Sequence, residues 1–193
     1  MMKNGLKAGV VTLALAATSS GSVFGAEGDK HAPYAGQQSR VIKSLSAADI
    51  EALRQGRGWG FAKPAELNGY PGPLHVLELR DALGLNAAQR ARIEAIYGDM
   101  KAAAQRIGRD FLAAEQALDA AFAHGNVTVD KVEALTVAAA RLRARLQSVH
   151  LRAHLLTTPL LSTAQRHRYA VLRGYAGSGH GARHGKGSHS GHH

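Results

Sequence analysis

Histidine is the residue with the most chemistry to offer in this chain. Eleven are present and there is no cysteine. Neither a disulfide nor a thiolate metal site can form, so a metal would need imidazole, carboxylate or methionine ligands. His180, His184, His189, His192 and His193 fall in the last fourteen residues, interleaved with glycine, serine and single basic residues. Neutral imidazole suits zinc, copper or nickel, and a flexible tail can wrap its ligands round an ion. Affinity should be modest, because the tail loses entropy on ordering. The plainer reading is a solubilising tail or the remnant of a tag. No run of six histidines occurs and the spacing is irregular, which argues against a tag.

His150 and His154 form a second candidate. At i and i+4 they share one helix face and can share one metal. Arg145 and Arg152 lie close in sequence and no acid does, so the plainer reading is a pair of partly buried or inter-subunit histidines. His75 and His124 stand alone and read as structural. No HExxH pattern, nucleotide fingerprint or carboxylate-rich metal loop is present, and no enzymatic activity is expected. The glycines between Gly56 and Gly60 lack the Lys-Ser/Thr of a phosphate loop. No cofactor is required; zinc, copper and nickel are the candidate ions.

The elements that position these residues are helices. Leu85-Asn86-Ala87-Ala88-Gln89-Arg90-Ala91-Arg92 returns, with substitutions, as Leu161-Ser162-Thr163-Ala164-Gln165-Arg166-His167-Arg168, 76 residues later. In each copy Asn86 or Ser162 can cap a helix, and Gln89 or Gln165 can reach back to the cap. From Asn86 an apolar stripe (Ile93, Ile96, Met100, Ala103, Ile107, Phe111, Ala114, Leu118, Phe122) predicts one helix to His124. Gly98 and Gly108 inside it mark bends or close helix contacts. Thr128 caps a second long helix to about Leu156, with Val132, Leu135, Ala139, Leu142, Leu146, Val149, Ala153 and Leu156 as its stripe. A short turn between two such helices makes an antiparallel hairpin. Short helices are predicted over 47–55, 74–83 and 162–173. The class is all-α, a long hairpin with short flanking helices. One thin layer buries little apolar surface, so a dimer is expected.

Lys3, Lys7 and the apolar run Ala8–Ala17 read as a secretory signal, cleaved near Gly25 or Ala26. Losing the two lysines lowers the formal charge from +10 to +8. Residues 26–73 read as an N-terminal arm, mobile to residue 43, then one short helix and a Gly-rich loop. Trp59, the single Trp, reads as a plug at one end of a helical core. Residues 74–174 form the helical domain and 175–193 the Gly/His tail. Export argues against nucleic acid as the partner of so basic a chain. Some of the arginines Arg141, Arg143, Arg145 and Arg152 are expected to pair across the hairpin with acids of the first long helix.

An exported, cysteine-free, helical chain with the paired motifs Leu85-Asn86-Ala87-Ala88-Gln89 and Leu161-Ser162-Thr163-Ala164-Gln165 resembles the Spy/CpxP family of periplasmic proteins, which includes the zinc-responsive ZraP and resembles the metal-sensing CnrX group. The resemblance covers about residues 74–173. Both copies lack the family's Thr, for which Asn and Ser substitute as caps. It implies a curved antiparallel homodimer that binds unfolded or aggregating polypeptides in the periplasm without ATP, under envelope or metal stress. The alternative it implies is a zinc, copper or nickel sensor or buffer that signals to a membrane partner.

Overall fold

Local capping chemistry sets where the helices begin. In the computed structural model, which describes residues 33–125 and 127–176, three side chains close capping boxes: Ser46 with Asp49, Asn86 with Gln89 and Ser162 with Gln165. They start α1 (Ala47–Arg54), α4 (Ala87–Ala123) and α6 (Thr163–Leu172). Pro64 and Pro73 sit in the first turns of α2 (Lys63–Glu66) and α3 (Pro73–Glu78), where a missing N–H costs nothing. Thr128 caps α5 (Val129–Thr157), which passes into a 3₁₀ turn over Thr158–Leu160. The described residues contain helices and no strand, as the periodicity predicts. None of the helices is long and apolar enough to cross a membrane. The expected signal segment, residues 26–32 of the mobile arm and the tail from residue 177 lie outside the described residues.

The two long helices, α4 and α5, pack along each other as the hairpin. With 37 residues α4 is roughly 55 Å long. Gly125 ends it with a φ of +69°, the left-handed conformation glycine adopts without strain. Two apolar cores sit on the hairpin. The first joins α1 and its flanks to the middle of α4 and α5, around Leu53, Phe61, Ile107, Phe111 and Leu146. The second gathers α3, the start of α4 and α6 around Val76, Leu83, Ile93, Leu161 and Tyr169.

Several expectations need correction. The arm is docked by residue 42: Ile42 and Leu45 are buried in the first core. Lys43 Nζ lies 3.1 Å from Asp119 Oδ2, and Ser44 Oγ donates to Glu115 Oε2 at 2.6 Å. Residue 73 is therefore no boundary, since α1 packs on α4 in the same unit as the hairpin. These contacts also claim acids of α4 that were expected to meet α5, and no cross-hairpin ion pair forms among the described residues. The third helix is shorter than 74–83; turns replace it from Leu79, and Gly84, at φ +62°, delivers Asn86 as the next cap. The short helix α2 lies in a stretch read as loop and turn.

Gly108 marks a close helix approach. A Cβ there would lie 2.5 Å from the Leu53 carbonyl oxygen, whereas one at Gly98 would meet nothing within 4 Å. Trp59 is half-buried beside Phe111 and Phe61 (ring centroids 6.1 and 5.3 Å away), so it flanks the core beside α4 rather than plugging its end. Phe122 and Leu156, placed on the buried stripes by periodicity, are 58% and 47% exposed. Near Phe122, Lys43 of the arm bonds Asp119 of α4. Among the described residues no further helix packs over the hairpin past that point.

Candidate functional site

The two motif copies meet. Gln89 Nε2 donates to Gln165 Oε1 at 2.9 Å, and Gln165 Nε2 donates to Gln89 Oε1 at 3.2 Å. Each amide oxygen also accepts its own cap's backbone N–H, from Asn86 at 3.1 Å and Ser162 at 2.9 Å. Each amide nitrogen donates to a carbonyl of the neighbouring segment, Leu160 at 2.8 Å and Leu83 at 3.3 Å. Only an amide can donate and accept in this way, so glutamate at either position would lose the donor and face its partner with a charge. Leu161 is buried and Leu85 partly buried in the core beneath. The repeat is thus a clasp that closes α4 and α6 onto each other. Replacing Gln89 and Gln165 by Ala singly and together should give non-additive losses, with a coupling of about 1 kcal/mol in a urea-unfolding cycle. Additive losses would mean that the two amides do not act as one unit.

The chain matches no protein-family model, no curated protein and no solved structure. The likeness to the Spy/CpxP family therefore rests on the motif residues, and function has to be argued from geometry.

Sequence reasoning missed a polar hub at Glu66, because the residue lies in a stretch that reads as a turn. Its carboxylate accepts from Tyr169 Oη at 2.5 Å, Tyr175 Oη at 3.2 Å and the Gly72 N–H at 3.2 Å. Arg173 Nε lies 3.4 Å away and His154 Nδ1 3.7 Å away. Burial, and then the bond to Glu66, raise the Tyr169 phenol well above its usual range, so it remains a donor. One carboxylate ties α2 to α5, α6 and the segment after α6.

His150 and His154 are both buried. His154 Nδ1 donates to the Tyr70 carbonyl at 2.8 Å, and its ring edge lies where a Cβ on Gly72 would be. His150 stacks on Phe61 with ring centroids 6.0 Å apart, and its Nε2 is buried with no hydrogen-bond partner. Burial, and then the proximity of His154, lower its pKa to about 4, so it is neutral at pH 7. Among the described residues no three His, Asp or Glu side chains are grouped to hold a metal ion. His75 pairs with Glu78 at 2.8 Å and His124 bonds the Ala120 carbonyl at 2.6 Å, both local roles. His180, His184, His189, His192 and His193 lie outside the described residues.

Two surface features remain. A cleft of about 880 Å³ opens beside the hub, between the Gly-rich loop, α4 and α5, and both histidines line it. At the hairpin tip a shallow, mostly apolar depression of about 450 Å³ is walled by Val127, Val129, Val132 and Val137. Val129 is 82% exposed. On α5, Arg141, Arg145 and Arg152 are exposed and have no carboxylate partner among the described residues, while Arg143 lies over Trp59 and Phe61.

Proposed function

We propose that this chain is an exported, ATP-independent holdase that binds unfolded polypeptide on its helical hairpin. The observation that supports the reading best is the uncovered hairpin tip, where Phe122, Val129 and Val137 present apolar side chains to solvent. Exposed apolar patches rimmed by polar groups mark interaction surfaces. Extended chains offer apolar and acidic groups without fixed shape, and a tip carried on a basic helix meets both needs. The motif resemblance supports the same reading, including a curved homodimer in the periplasm that juxtaposes two hairpins. The clasp and the hub give the hairpin a rigid base.

The test is light scattering from a reduced, aggregating client without nucleotide. Mature protein at stoichiometric excess should suppress aggregation, and unchanged aggregation would end the proposal. The triple variant Phe122→Ser, Val129→Ser, Val137→Ser should lose most of the suppression, about tenfold in the concentration needed, while its unfolding free energy changes little because the sites are exposed. Equal suppression by the variant would move the client site elsewhere.

The metal-sensing alternative is supported by the composition of the histidine tail. Calorimetry with zinc, copper and nickel on the full chain and on a chain ending at Gly177 tests it: affinity lost with the tail would support the reading, and no affinity in either would end it.

A further inference from the structure

The cleft beside the hub carries features that client binding does not use. Its volume lies within the range of small-molecule sites. Arg57, Lys63 and Lys101 line it, exposed and with no carboxylate partner among the described residues. The one carboxylate in the wall, Glu66, is already engaged by Tyr169, Tyr175 and Arg173. The net field at the opening is therefore positive. Trp59, Tyr97 and Tyr175 supply aromatic surface. Inside, His150 is only 3% exposed, and its Nε2 lacks a partner. A buried polar atom left unpaired costs stability, and the His150 ring that carries this one lines the cleft. Trp59 holds a φ of +42° at the wall, the one positive φ outside glycine among the described residues. Such strain gathers at binding sites.

We infer that this cleft binds a small aromatic carboxylate, with its acid group against Arg57 and Lys101, its rings against Trp59 and Tyr97, and a second polar group on His150 Nε2. Each part of the ligand follows from one part of the wall. The unpaired cations at the opening select an anion. The aromatic lining selects a flat apolar body. A neutral imidazole at the buried end selects a hydroxyl over a second charge, because a charge there would have to shed its water unpaired. The inference does not depend on the holdase reading, since the cleft lies beside the hub and the tip surface lies beyond Asp119.

The sole tryptophan lines the cleft, so its fluorescence reports occupancy. Hydroxynaphthoate is the probe, titrated into the full chain by calorimetry and by Trp59 emission. Saturable one-to-one binding is expected. The neutral hydroxynaphthamide should bind at least about tenfold more weakly, and naphthoate without the hydroxyl weaker than hydroxynaphthoate. Arg57→Gln and Lys101→Gln, both at exposed positions, should each weaken the probe by about tenfold, the loss typical of a bond to a charged group. Val137→Ser at the tip should leave it unchanged. The inference is overturned if no saturable binding occurs, if the amide binds as well as the acid, or if the two charge variants bind like the wild type.

Discussion

Acid should weaken this protein through His150. In the fold its pKa is held near 4, against 6.5 for a free imidazole. Between those values the unfolded chain binds a proton that the folded chain refuses, so stability falls with falling pH. His150 costs no stability above pH 6.5; its penalty grows as pH drops below that value and levels off below about 4. A displacement of this size corresponds to about 3 kcal/mol. Urea unfolding of the wild type and of His150→Phe across this window isolates the effect. Phe keeps a flat ring against Phe61 and cannot titrate, so the wild type should lose about 3 kcal/mol relative to the variant as pH falls. Parallel curves would mean that His150 takes up its proton in the fold as easily as in the unfolded chain. The folded protein would then relieve the unpaired Nε2 by other means.

Removing the carboxylate at Glu66 should be as damaging at neutral pH. Glu66→Ala leaves the Tyr169 and Tyr175 hydroxyls and the Gly72 N–H without their shared acceptor, and Arg173 without its ion-pair partner. Breaking a largely buried charged cluster on one side costs about 3 kcal/mol, because the remaining groups stay desolvated and unpaired. Tyr169→Phe should cost less, about 1 kcal/mol, since Glu66 keeps its other partners. Denaturant midpoints measure both. A loss below about 0.5 kcal/mol for Glu66→Ala would place it among ordinary surface substitutions and show that the hub does not hold α2 against α5 and α6.

These two residues also show what the sequence could and could not reveal. Helix starts were legible because capping is local: Ser46, Asn86, Thr128 and Ser162 act within three residues of themselves. The hairpin followed from two apolar stripes and a short turn. Periodicity finds a face but not how far it is covered, so Phe122 and Leu156 were placed inside. The repeat was visible, and its glutamines read as capping partners. Their pairing across 76 residues was not, although a duplicated amide in place of the commoner glutamate was a usable sign. Glu66 left no local sign, because its two tyrosine partners stand more than 100 positions away along the chain. His150 and His154 were legible as a pair on one face. That one donates to Tyr70 and the other has an unpaired nitrogen beside a cleft depends on α2 and the Gly-rich loop folding over them. No pattern in α5 encodes that.

The uncovered tip is the part of the molecule on which the proposed function depends. Hydrogen–deuterium exchange of the mature protein, with and without an excess of a reduced unfolded client, would locate client contact directly. Slowed exchange is predicted across the tip, from Phe122 through Val137, with little change at the clasp of Gln89 and Gln165. Client binding that leaves the tip unprotected, or no protection anywhere at saturating client, would contradict it.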